Sequence, residues 1–248
     1  MIRAITFDWG DTLAVNYGMP YLATQRRAFS ALATDLKALG CPVPEEFTAQ
    51  AMAGLAVEWR KSIDPARNPE HREFDFATML RGWVLAAGGD ALAPTALAQV
   101  IDACTDRLAD TMPPLPESQP VLAALKGRGF RIGILSHVPW PGDACRRWFV
   151  RHGLAPYVDF YSLSCEVGWI KPNVLHYQDA QAQAGCPAQE ILHVGDHPFR
   201  DVEGGRKFGF KTVLRRTECI YPEEALDACR PDAEIIRLEE LPGLLDRW

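Results

Sequence analysis

The sequence predicts an α/β protein, a parallel sheet with helices on both faces and an inserted block of helices. Three observations lead there. Short apolar runs without helical periodicity alternate with amphipathic stretches, which is the pattern of βαβ units. The alternation is interrupted once, between 17 and 115, by a stretch of purely helical texture. Three of the apolar runs end in polar residues able to carry chemistry: Asp8, Ser136, and Asp196 after Gly195. With 248 residues, 48% of them hydrophobic, the chain can bury a substantial core.

In chain order, Ile2, Ala4, Ile5 and Phe7 form a strand suited to the interior of a parallel sheet, and it stops at Asp8 before a Gly-containing turn. Apolar residues at three- and four-residue spacing then predict helices at 21–39, 45–63, 74–87 and 95–112. They are separated by Gly40-Cys41-Pro42, by 64–73, and by Gly88-Gly89 with Pro94. Pro113-Pro114-Leu115-Pro116 excludes both helix interior and sheet centre, so a boundary falls there. Residues 1–16 and 116–248 then form one domain and 17–115 another. After the boundary come a helix at 118–129 and a buried strand at 130–135, closed by Ser136-His137. A helix at 144–152, a strand at 158–163 and a helix at 173–184 follow. A strand at 191–194 runs into Gly195-Asp196, and a helix occupies 201–208. Short strands at 212–214 and 234–236 and a helix at 238–245 end the chain.

Composition excludes several classes. No apolar stretch nears the roughly 20 residues that span a bilayer, and no signal peptide precedes the first strand. The expectation is a cytoplasmic protein with no membrane partner. A net charge of −6 gives no basic footprint for nucleic acid. The 7 cysteines include no Cys-x-x-Cys pair, which argues against a disulfide framework or zinc site and leaves most of them as small core residues.

In open α/β sheets ligands gather beyond the carboxyl ends of the strands. Asp8, Ser136 and Asp196 all lie there, and Asp201 follows Asp196 at the start of a helix. Taken singly, Asp8, Asp196 and Asp201 read as turn or capping residues. If the strand ends adjoin, the three carboxylates repel strongly and either shift their proton affinities or recruit a cation. Oxygen ligands and a small coordination sphere favour Mg²⁺, which shares its remaining positions with a substrate phosphate. Lys171, held in extended geometry before Pro172, could offset the charge, and Ser136 could donate to a phosphoryl oxygen.

Asp8 to Leu13, Ser136, Lys171-Pro172 and Gly195-Asp196 with Asp201, in that order and spacing, resemble the four motifs of the haloacid dehalogenase-like (HAD) hydrolase superfamily. Glu166-Val167-Gly168 before the lysine, and Gly204-Gly205 with Gly209 after Asp201, strengthen the likeness. The resemblance spans the chain. It implies a Rossmann-like, doubly wound parallel sheet with a helical cap at 17–115. It also implies a Mg²⁺-dependent hydrolase of a small phosphorylated metabolite, working through an aspartyl-phosphate on Asp8. Ser136 and Lys171 would then bind the phosphoryl group, and His137 beside Ser136 is a further candidate to touch the substrate. Asp8, Asp196 and the main-chain oxygen of Gly10 would hold Mg²⁺, with Asp201 behind them.

One departure stands out. Phosphatases of this family carry a second Asp, two residues after the nucleophile, as general acid and base, and here that position is Gly10. Such help is worth ~10² to 10⁴-fold in rate. Asp11 and His137 are the candidate replacements. The same gap keeps open a dehalogenase or phosphonatase-like chemistry, or a phosphate- and metal-binding protein with little turnover. A phosphonatase needs a lysine in the cap, which offers only Lys37 and Lys61. Trp59, Arg60, Arg67, His71, Arg72, Arg81 and Trp83 of the insert, and the loop Pro139-Trp140-Pro141, are candidates to face the substrate.

Overall fold

β1 (Ala4–Phe7) is apolar along its whole length because it is covered from both sides. Ile5 and Phe7 pack into one layer with Ile132, Ile134, Leu192 and Val194, while Ala4 packs into the opposite layer with Leu135 and Ile191. The side-chain period of two thus feeds two cores, as a central parallel strand requires. β1 is flanked by β2 (Arg131–Ser136) and β4 (Ile191–Gly195). With β3 (Phe160–Leu163), β5 (Lys211–Arg215) and β6 (Ala233–Ile235) they form one six-stranded sheet in the order β3-β2-β1-β4-β5-β6. Every pairing is parallel. The computed structural model describes residues 1–16, 19–217 and 221–247. Cys219, and Tyr17 at the predicted start of the insert, lie outside the described residues.

Between β1 and β2 come α1 (Tyr21–Ala38), α2 (Phe47–Ile63), α3 (Phe76–Ala86) and α4 (Pro94–Ala109). They bury a core of their own around Phe29, Leu32, Leu36, Leu55, Phe76 and Leu80. The remaining helices are α5 (Ser118–Gly127), α6 (Gly142–Arg151), α7 (Ser164–Val167), α8 (Val174–Ala184), α9 (Gly204–Phe208), α10 (Glu223–Ala228) and α11 (Leu241–Leu245). α5, α6 and α11 cover one face of the sheet, and α8 covers the other.

Four elements differ from the sequence reading. α7 and α10, of 4 and 6 residues, are too short to show a helical period. The helix predicted from 201 instead begins as a π-type turn at Pro198–Glu203 that runs into α9. The strand predicted from 158 begins at Phe160, because Ala155–Tyr157 make a 3₁₀ turn just before it.

Two antiparallel segments join the insert to the sheet. Val15 N donates to Pro113 O at 2.8 Å and Leu115 N to Leu13 O at 2.9 Å. The insert also rests on α6: Arg147 reaches Asp106 at 2.9 Å, and the Trp148 indole donates to Met112 O at 2.9 Å. Of the described cysteines, five are buried and Cys165 is half-buried, all as free thiols. Among the described residues no helix is long and apolar enough to cross a membrane.

Candidate active site

The sheet order places the site. β1 is followed in space by β2 on one side and β4 on the other, so the crevice beyond its carboxyl end is a topological switch point. Asp8 extends the strand by one bond, its N–H donating to Val194 O at 2.9 Å. The chain then turns, with Leu13 and Ala14 N–H both donating to Trp9 O. Asp11 takes a left-handed conformation, φ 52°, which Asp tolerates better than most residues. Its carboxylate accepts from Asn16 N at 2.9 Å, and its carbonyl accepts from Arg215 Nη1 at 2.5 Å. Beside it, the Asn16 amide fills the space next to Gly10, 3.0 Å from where a Cβ would stand.

Lys171 is buried, 2% exposed, and spends all three ammonium protons. It donates to Asp8 Oδ1 at 2.9 Å, Leu135 O at 2.8 Å and Asp201 Oδ1 at 2.5 Å. Asp201 also accepts from His193 Nε2 at 3.1 Å and from His197 N at 2.9 Å. Thr6 Oγ1, 2.9 Å from His193 Nδ1, ends this buried polar line inside the sheet. A Cβ at Gly195 would collide with the Asp201 carboxylate, so glycine is required there.

Burial opposes the charge on Lys171, but the charges of Asp201 and then Asp8 outweigh it and hold its pKa above the usual lysine value. Burial alone would raise Asp201, yet Lys171 and then His193 hold its carboxyl well below the carboxylate range. Asp196 is the opposite case. Burial first, then repulsion from Asp201, Asp8 and Asp11, pushes it well up, against a single hydrogen bond of 3.0 Å from the Tyr221 hydroxyl. Among the described residues no cation pairs with it. Asp8, Asp196 and Asp201 each offer a carboxylate oxygen within 4.8 Å of the others, an all-oxygen set that fits a hard divalent cation.

A cavity of about 630 Å³ opens over these groups, lined by Asp8, Gly10, Asp11, Ser136, His137, Lys171, Asp196 and Asp201. The catalytic, phosphoryl-binding and metal candidates of the sequence reading therefore all border one space. Trp59, Arg60 and Leu55 of α2, with Pro139 and Trp140 after β2, form its outer wall. Arg67, His71, Arg72, Arg81 and Trp83 do not line it. The Arg72 guanidinium lies over the Trp169 ring at 4.0 Å, and Trp83 packs edge-on against Phe29 and Phe76.

Four residues escape sequence reasoning. His193 and Tyr221 support Asp201 and Asp196, as described. Glu73, from the insert, buries its side chain, which accepts from Ser164 Oγ at 2.5 Å, with His137 Nε2 3.0 Å away. Arg200 lines the cavity with its Nη1 3.4 Å from His137 Nδ1. Both ring nitrogens of His137 are thus engaged, and its ring lies flat against Trp59 at 5.0 Å.

Comparisons with known proteins agree with this architecture. The sequence model of the haloacid dehalogenase-like hydrolases matches residues 2–209. A glyceraldehyde 3-phosphate phosphatase of Methanopyrus kandleri is 28% identical over 244 residues, 97% of this chain and 96% of its own. Among solved structures, a 2-haloacid dehalogenase of Pseudomonas syringae pv. Tomato aligns over 100% of both chains with TM-score 0.64 and 25% identity. A HAD phosphatase of Thermococcus onnurineus covers 98% of both chains at TM-score 0.66 and 19% identity, a likeness of fold.

Proposed function

The chain belongs to the haloacid dehalogenase-like hydrolase family, and from that premise we propose that it hydrolyses the phosphate monoester of a small metabolite through a covalent intermediate on Asp8. An Asp8 oxygen attacks phosphorus, and the ester P–O bond breaks with its electron pair going to the departing alcohol oxygen. Water then attacks the same phosphorus, releasing phosphate and restoring the carboxylate. Lys171, 2.9 Å from Asp8, orients the nucleophile and offsets the gathering negative charge. Ser136, at the end of β2, donates to the phosphoryl oxygens.

The observation that carries this reading is Asp196, a buried carboxylate beside two others, with which no cation among the described residues pairs. A group so placed needs either a proton or a positive ion. Mg²⁺ fits the donor set, with the Asp8 and Asp196 carboxylates and Gly10 O to hold it. When bound it would neutralise phosphoryl charge. Residues 17–115 act as a cap that shields the reaction, supported by the α2 side chains in the cavity wall. The free thiols accord with work in the cytoplasm.

No carboxylate stands at Gly10 to move protons. His137 is committed at both ring nitrogens, so Asp11 serves as the proton-transfer group. Dehalogenation is the second reading, favoured by Gly10 and by a dehalogenase structure among the similar folds. The Asp196 site weighs against it. A phosphonatase is less favoured still, since Lys37 and Lys61 of the insert are both exposed. The test is hydrolysis of p-nitrophenyl phosphate and of alkyl phosphates, with Mg²⁺ or EDTA. Mg²⁺-dependent release of phosphate supports the reading; chloride release from 2-chloropropionate without phosphate release overturns it.

A further inference from the structure

Resting on the phosphatase reading, we propose that Arg200 reads a second anionic group, a carboxylate or phosphate, on the leaving-group side of the substrate, and that Glu73 and His137 position it. Arg200 lies in the turn between Asp196 and Asp201, and its backbone is pinned there. Its N–H donates to His197 Nδ1 at 3.3 Å, and its carbonyl accepts the Tyr177 hydroxyl. The guanidinium lines the cavity, where its hydrogen-bond partner is His137 Nδ1 at 3.4 Å. Among the described residues no carboxylate lies within ion-pair reach of it. A half-buried guanidinium with most of its five donors unused is a costly group unless a ligand brings an anion to it.

The line behind Arg200 fixes its direction. Glu73 is held by Ser164 Oγ at 2.5 Å and by Phe74 N at 3.0 Å. Its carboxylate accepts the His137 Nε2–H at 3.0 Å, which leaves Nδ1 as the acceptor that an arginine N–H needs. Trp59 clamps the same ring with an interplanar angle of 7°. The guanidinium therefore lies beside the His137 ring that Trp59 of the insert covers. It also lies close enough to His71 of the insert to help burial lower that histidine's pKa. Arg60 borders the same space, its Nε donating to Ala56 O of its own helix at 3.0 Å, and no described carboxylate pairs with it. The reacting phosphoryl group has Ser136 and Lys171 already. Charge at the far wall suits charge at the far end of the substrate.

The test compares matched esters: phosphoglycerate against glycerol phosphate for a carboxylate, and a hexose bisphosphate against the hexose monophosphate for a phosphate. Wild-type kcat/KM is expected to favour the anion-bearing member of at least one pair about tenfold or more, and the larger preference identifies the anion. Arg200→Gln should erase that preference through KM, and Arg200→Lys should keep part of it. Glu73→Ala should shrink it in the same direction, while Glu73→Gln, still an acceptor for His137, should retain it. Calorimetric binding of the same pairs to Asp8→Asn should show the preference without turnover. Equal losses for both members of a pair in Arg200→Gln, or no wild-type preference beside intact p-nitrophenyl phosphate hydrolysis, overturn the inference alone. If no ester is hydrolysed at all, the phosphatase reading fails and the inference with it.

Discussion

Replacing Lys171 by Met removes the one ammonium that both Asp8 and Asp201 use, and keeps most of its volume. The structure sets the size of the effect. Three hydrogen bonds vanish, and Asp201, 2% exposed, loses the charge that holds its carboxyl low. Breaking a buried pair by deleting one partner costs about 3–5 kcal/mol. For a chain of this size each kcal/mol shifts Tm by about 2–4 °C, so a fall of roughly 10 °C is expected at pH 7. The deficit should depend on pH. Wild-type Asp201 has a depressed pKa, so its stabilisation is present above the ordinary carboxylate value, near 3.9, and is lost as pH falls through the folded value. In Lys171→Met the clustered carboxylates take up a proton more readily folded than unfolded, so the variant gains stability as pH drops from 7 to 5. The gap between the proteins should then narrow, and Mg²⁺ should close part of it at pH 7. Urea titrations of both proteins at the two pH values, with and without Mg²⁺, measure this. A deficit below about 1 kcal/mol at pH 7, or one unchanged at pH 5, would refute the view of Lys171 as the counter-charge of the cluster.

Asp196→Asn should weaken Mg²⁺ binding at least tenfold by calorimetry while raising the Tm of the metal-free protein, because it removes the uncompensated charge; unchanged affinity would take Asp196 out of the metal site. Gly10→Asp needs the Asn16 amide to yield a few tenths of an ångström, so it is best made with Asn16→Ala. It should raise hydrolysis of alkyl phosphates about 10²-fold more than that of p-nitrophenyl phosphate, and an equal effect on both would mean that another group already moves the proton. His176 is buried, and burial first, then Lys171, lowers its pKa to about 3. The unfolded chain protonates this ring near pH 6.5, so between those values the unfolded state binds more protons and stability is lost as the pH is lowered, by on the order of 4 kcal/mol in all. Denaturation midpoints of His176→Gln should therefore fall less between pH 7 and 4 than those of wild type, and parallel curves would contradict this.

Much of the site is legible in the sequence because strand ends are legible. An apolar run that stops at Asp8, Ser136 or Gly195-Asp196 marks its own carboxyl end, and parallel topology brings such ends together. His193 is hidden for the same reason: inside Ile-Leu-His-Val it reads as part of a strand, and its role appears only once β4 lies beside β1 and under Asp201. Glu73 reads as the end of a polar connection between two helices. What buries it is a long-range contact, the pairing of Arg72 with Trp169, which no local pattern announces. Arg200 looks like a solvated charge in a turn until the structure shows that no described carboxylate pairs with it. The insert's helices were readable from their period, but which of their side chains face the cavity depends on how they dock against α6 and the loop after β2.

The central claim is that Asp8 carries the phosphoryl group. Acid quenching of the enzyme during turnover of p-nitrophenyl phosphate with Mg²⁺, followed by mass spectrometry of its peptides, tests it directly. A hydroxylamine-labile phosphoryl group is expected on the peptide containing Asp8 and is expected to be absent from Asp8→Asn. Steady turnover with no phosphoryl group on that peptide, or undiminished turnover by Asp8→Asn, would contradict it.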